Sequence, residues 1–95
     1  MHFIRSDNVK EKNVGGELAL YVGAQRSIHV LNPTARFIWE SLREPLTFDE
    51  LLFVMTEAFE VDQEVLRHDL QDVLDQFRSL DILHTRAEGD GTAVS

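Results

Sequence analysis

Ninety-five residues, 43% of them hydrophobic and none of them cysteine, carry a net charge of −8, which fits one small domain rather than two. The absence of thiols excludes cysteine nucleophiles, disulfides and Cys-based zinc sites, and a core this small disfavours a cleft for a large cofactor. The charge is uneven, +1 over residues 1–46 and −9 over residues 47–95. This argues against nucleic acid or an anionic membrane as partner, since both demand cations.

The N-terminal stretch MHFIRSDNVKEKN has no long apolar run, and eighteen consecutive apolar residues occur nowhere. Neither a secretory signal nor a membrane span is expected, and a cytoplasmic protein is the default. Residues 3–14 are weakly patterned; Val9 and Val14 allow one irregular strand, preceded by an extended piece at Phe3 and Ile4. Gly15-Gly16 signals a turn, after which Leu18, Leu20 and Val22 alternate with Ala19 and Tyr21 as in a half-buried strand. Gly23 to Arg26 is a second turn. Ser27 to Leu31 follows as a strand with His29 and Leu31 on one face and Ile28 and Val30 on the other. The helix-bearing face covers only one of these pairs, so Ile28 and Val30 are left either to an external partner or to cover by the N-terminal segment.

Strand becomes helix at Asn32, whose side chain can cap the following turn, with Pro33 suited to the first helical position because its missing N–H would have no intrahelical partner. Ala35, Ile38, Trp39 and Leu42 gather on one face as core. Arg43-Glu44-Pro45 ends this helix. Thr47 and Glu50 then form a capping box, with Leu46 and Leu51 as a hydrophobic staple, and start a second helix. It runs to about Phe59 with Leu51, Met55, Ala58 and Phe59 inward and Leu52 or Val54 marginal. Asp62 caps a third helix, with Val61 and Leu66 as staple. Its apolar seam is Leu66, Leu70, Val73, Phe77 and Leu80, broadened by Val65 and Leu74, while Asp69, Asp72, Asp75 and Gln76 occupy the remaining surface. Ile82 and Leu83 pack back as a short extended end. Residues 1–86 form the domain, and the tail 87–95 has nothing to bury and is expected to be disordered. The pattern predicts an α+β fold, a winged helix-turn-helix-like arrangement in which a small three-stranded antiparallel sheet precedes three helices.

Catalytic chemistry is not legible here. The four histidines, His2, His29, His68 and His84, lack the spacing that places two ligands on one helix face. Asp69 and Asp72 near His68 read more simply as the solvated side of a helix than as a metal site. Gly15-Gly16 and Gly23 are turn glycines rather than a phosphate loop. No metal, cofactor or enzymatic activity is expected. What remains is binding: a sheet edge beside an amphipathic helix can accept an extended peptide as an added strand.

Leu31-Asn32-Pro33-Thr34-Ala35 followed by Ile38-Trp39 and Leu42, then Thr47 with Glu50-Leu51 and Phe59, then a last helix ending near Leu80 with Ile82-Leu83, resembles the PqqD-like family over roughly residues 14–85. The joint looks most like that of stand-alone relatives found with lasso-peptide and other peptide-modifying systems. The resemblance implies a recognition element for ribosomally synthesised and post-translationally modified peptides. Such an element binds a precursor's leader segment in the cleft between the third strand and third helix. It then delivers the precursor to a modifying enzyme, of radical-SAM or lasso-maturation type. Carried onto this chain, the leader would meet Ser27, Ile28, His29, Val30 and Leu31 from the strand, and Val65, Asp69, Asp72, Val73 and Gln76 from the helix. A helix this acidic suits a leader with basic or aliphatic anchors. Two alternatives stand beside this reading. One is a winged-helix transcription regulator, disfavoured because the third helix sets Arg67 and Arg78 against Asp62, Glu64, Asp69, Asp72 and Asp75. The other is a structural subunit that forms a homodimer through its own strand edge.

Overall fold

The computed structural model describes residues 1–87, so the tail expected from residue 87 lies, from residue 88 onward, outside the described residues. In chain order the elements are β1 (His2–Arg5), β2 (Val9–Val14), β3 (Glu17–Val22), β4 (Ser27–Val30), α1 (Pro33–Ser41), β5 (Leu46–Thr47), α2 (Phe48–Ala58), α3 (Gln63–Ser79) and β6 (Leu83–Arg86). They form an α+β fold, but the strands build two three-stranded antiparallel sheets instead of one. The order is β2-β3-β4 in one and β5-β1-β6 in the other. The second sheet escaped sequence reading because its strands are short and come from three distant parts of the chain. β1 pairs with β6 over four residues and with β5 over two, and only folding brings these segments together. Its location settles what covers β4: the N-terminal strand lies in the other sheet, and Ile28 and Val30 are left 66% and 59% exposed.

Local sequence explains the joints. Gly15 and Gly16 both have positive φ, +58° and +88°, and nothing lies within 4 Å of a Cβ built on either. The glycines therefore serve backbone conformation, as the two-residue turn joining β2 to β3 requires. Asn32 Oδ1 accepts from Ala35 N–H at 2.7 Å with Pro33 in the first turn. Thr47 Oγ1 accepts from Glu50 N–H at 3.1 Å while Glu50 Oε1 accepts from Thr47 N–H at 2.8 Å, completing the capping box. Asp62 Oδ1 caps α3 through Glu64 N–H at 3.1 Å. Val61, expected to staple against Leu66, instead stands half in solvent.

The C-terminus of α3 closes with Ile82 N–H donating to Phe77 O at 2.8 Å and Asp81 N–H to Arg78 O at 3.1 Å, the paired bonds of a Schellman ending. Asp81 holds the left-handed position at φ 61°, where a β-carbon is strained. Asp81→Gly is expected to stabilise the protein by about 0.5–1 kcal/mol, read as a rise of a few degrees in thermal melting. A lower melting temperature would show that the Gln25 Nε2 to Asp81 Oδ2 hydrogen bond, 3.2 Å and exposed, outweighs the backbone strain.

The core lies between the inward face of the β2-β3-β4 sheet and the helices. Leu18, Leu20 and Val22 meet Ile38, Trp39 and Leu42 from α1 and its end, Leu51, Leu52 and Met55 from α2, and Leu66, Leu70, Leu74 and Phe77 from α3. Ala58, expected inside, is exposed, and Leu52, expected at the margin, is buried. In α3 Leu74 is fully buried, while Val73 and Leu80 are only half-buried. The seam runs Leu66, Leu70, Leu74, Phe77, which leaves Val73 and Leu80 at the border of the core, with Leu80 beside β4 and Val73 beside Asn32 and Thr34.

A polar clasp that sequence reading missed locks three elements together. Arg5 from β1 donates through Nε and Nη2 to the carbonyl of Trp39 at 3.1 and 2.6 Å. Its guanidinium carbon sits 4.0 Å from the centroid of the Trp39 ring, within cation–π range. Glu11 Oε2 of β2 accepts from Trp39 Nε1 at 2.6 Å and pairs with Arg5 Nη1 at 3.3 Å. Burial lowers the Arg5 pKa and the neighbouring Glu11 opposes that shift. The arginine still stays charged at any physiological pH. One carboxylate thus holds both the indole and the guanidinium and ties the two sheets to α1.

Candidate peptide-binding groove

β4 is an edge strand: among the described residues it pairs with β3 alone, in the register Val22↔Ser27, Tyr21↔Ile28, Leu20↔His29 and Ala19↔Val30. Leu31 N–H donates to Leu18 O at 2.9 Å. Main-chain groups alternate sides along an antiparallel strand, so those of His29 and Leu31 turn toward β3. The N–H and C=O groups of Ile28 and Val30 then point away from the sheet. β2, the other edge of this sheet, carries the run Lys10-Glu11-Lys12. Charges of this kind are a usual protection against strand pairing. β4, with Ser27, Ile28, His29 and Val30, has no such protection.

Beside this edge runs α3, and three open cavities adjoin one another there: one between β4 and α3, one on the surface of α3 and one between the start of α1 and α3. One, of about 370 Å³, is lined by Ile28, His29, Val30, Leu31, Asn32 and Ala35 together with Gln76 and Leu80. A second, of about 470 Å³, is formed by Asp72, Val73, Asp75, Gln76 and Ser79. The third, of about 220 Å³, is bordered by Asn32, Thr34, Asp69, Asp72 and Val73. They share Gln76, Asn32, Asp72 and Val73, so together they make a trough rather than a chamber, a shape suited to an extended chain. As β4 leads into α1, its neighbours on α3 change from Leu80 to Gln76 to Asp69, so the helix runs antiparallel to the strand.

The residues singled out from sequence fall unevenly along this trough. Ile28, His29, Val30 and Leu31 meet Gln76 in one cavity, and Asp69, Asp72 and Val73 gather in another. Ser27 borders none of the three and instead places its Oγ 2.9 Å from His29 Nε2, which orients the imidazole. Val65 lies one helical turn beyond Asp69, 48% exposed and outside these cavities. Asn32, Thr34, Ala35, Asp75, Ser79 and Leu80 also line the trough and were not singled out. Asn32 and Ala35 read as cap and core, and only the crossing of α3 over the strand-to-helix joint gives them a second surface. Among the described residues, no group of three or more His, Cys, Asp or Glu side chains could hold a metal ion. No helix there is long and apolar enough to cross a membrane.

The family profile described as Coenzyme PQQ synthesis protein D (PqqD) matches residues 17–83, which spans the β3 to α3 framework that builds the trough. The chain belongs to the PqqD family. Two solved structures share the fold of this PqqD-family chain. The structure of TbiB1 in complex with the TbiA(beta) leader peptide superposes with a TM-score of 0.78 at 22% identity, covering 90% of this chain and 99% of that one. The lasso peptide synthetase B1 complexed with its leader peptide gives 0.75 at 16% identity, covering 87% and 98%. No curated protein sequence matches.

Proposed function

We propose that this PqqD-family protein binds the leader segment of a ribosomally made precursor peptide as an added strand on β4. It then delivers the precursor to a modifying enzyme in the cytoplasm, taking no part in the covalent chemistry itself. The observation that carries this reading is the outward main chain of Ile28 and Val30 on an unprotected edge flanked by the α3 trough. There an incoming strand completes hydrogen bonds while its alternate side chains enter the trough. The family assignment and the leader peptides held by the two structures of the same fold support it. A winged-helix regulator is less well supported, because the exposed surface of α3 presents Asp69, Asp72 and Asp75 where a recognition helix needs cations for phosphates.

Calorimetric titration with the leader of the precursor peptide encoded beside this protein tests the proposal. Binding tighter than about 100 μM, about 5.5 kcal/mol, is expected. Absence of binding at that concentration would overturn it. Light scattering adds a check on the edge, because a homodimer formed through β4 should dissociate when the leader occupies the same strand.

A further inference from the structure

The face of the β2-β3-β4 sheet turned away from the helices carries two cross-strand rows of similar composition. Strand register sets Tyr21 between Lys10 and Ile28 in the first row, and Ala19 between Lys12 and Val30 in the second. Residues paired across antiparallel strands share a face, and this face is opposite to the one that sends Leu18, Leu20 and Val22 into the core. Each row thus runs from a cation on β2 to an aliphatic side chain on β4. Val14 shares this side and stands opposite Glu17, the one acid these strands place there. Val14, Tyr21, Ile28 and Val30 are four of the eight large hydrophobic side chains exposed among the described residues. Lys10 and Lys12 are the only lysines of a chain with net charge −8, and both stand exposed on this side.

Contiguous apolar side chains left in water mark a contact surface. Resting on the strand-addition reading above, we infer that this outer sheet face docks the modifying enzyme, through an enzyme surface that is apolar at its centre and sets Asp or Glu carboxylates against Lys10 and Lys12. A leader paired to β4 directs every second side chain to the side of Ile28 and Val30. The bound peptide therefore widens the face by one strand, and an enzyme seated there lies against the peptide it receives. The trough is on the opposite side of the sheet, so docking and leader anchoring do not compete. The two lysines fix register and partner choice by charge complementarity. Size argues against a second copy as the occupant. Three strands about 4.8 Å apart, at most six residues long at about 3.3 Å each, give a footprint of roughly 300 Å². Each side of a stable interface contributes about 800 Å². Two copies meeting through this face alone hold each other weakly, whereas an enzyme gains further contact with the leader strand.

Surface plasmon resonance of the full chain against the purified modifying enzyme encoded beside it, with saturating leader peptide, tests the assignment. The double variant Lys10→Glu with Lys12→Glu, and separately Tyr21→Ser, should each weaken enzyme binding about tenfold or more. The parent's affinity for the enzyme should fall about threefold or more as salt rises from about 0.05 to 0.5 M. These three side chains lie off β4 and line none of the trough cavities, so leader titration with the same variants should stay within about twofold of the parent, with melting curves taken alongside. Phe53→Ser, which removes an exposed aromatic of α2, should leave enzyme binding unchanged. Enzyme binding that both sheet variants retain, or that is lost on Phe53→Ser instead, would overturn the docking face while leaving strand addition intact. Light scattering that shows the parent self-associating and the sheet variants monomeric, with enzyme binding undiminished, would give the face to a second copy and overturn the assignment in the same way. A parent that takes up no leader would overturn both.

Discussion

Val30→Pro is expected to weaken leader binding by about 2 kcal/mol or more, roughly thirtyfold, while leaving the fold in place. The Val30 N–H points to the open side of β4, so proline removes a donor that the folded chain itself does not use. The hydrogen bonds to β3 come from His29 and Leu31 and survive, and proline is tolerated on an edge. The loss exceeds that of one ordinary hydrogen bond because a carbonyl of the visiting peptide is left desolvated without a partner. Val30→Thr keeps the N–H and the β-branched shape, and should remain within about threefold of the parent. Titration of both variants with the leader, with thermal melts alongside, reads the difference. Equal binding by Val30→Pro and the parent would place the leader elsewhere on the molecule.

Trp39→Ala should cost about 3–5 kcal/mol of folding stability, a large share of the 5–15 kcal/mol typical of a domain. The indole is 2% exposed and stacks edge-on against Phe77 with ring centroids 6.5 Å apart. Its removal leaves a void at the crossing of α1 and α3. It also strips Glu11 of a hydrogen-bond donor and Arg5 of the ring beneath it. A drop of about 15 °C or more in melting temperature is expected. A change below about 1 kcal/mol in chemical denaturation would show that the neighbouring side chains collapse into the space. Since α1 and α3 both border the trough, leader binding is expected to fail together with the fold at elevated temperature. Val30→Pro, by contrast, weakens binding at all temperatures.

The two sets of effects rest on different parts of the chain. Local chemistry wrote the helices plainly: Asn32-Pro33, Thr47 with Glu50 and Asp62 each announce a start through a side chain within three residues of the N–H it caps. The alternation of Leu18, Leu20 and Val22 marks the core strand because a sheet with one buried face must repeat every two residues. The same repeat set Ile28 and Val30 on the face away from the helices, but left open whether the N-terminal segment covers them. The partner of β1, by contrast, lies more than forty residues away in β5 and eighty away in β6, and strands of four and two residues are too short for periodicity to show. The Arg5, Glu11 and Trp39 clasp was hidden likewise, since its three members have no spacing in common.

Sequence by itself determined the three helices and where each begins, the two strands that run from Glu17 to Leu31, and that the helical half is acidic. Tertiary structure alone decided that the N-terminal strand joins the other sheet and so leaves the β4 edge open. It also decided that Leu74 rather than Val73 enters the core, which hands Val73 and Leu80 to the trough. The reason is physical. Caps and periodicity report interactions within a few residues along the chain. The choice of strand partner and the rotation of a helix about its axis are settled by how the assembled elements bury apolar surface together.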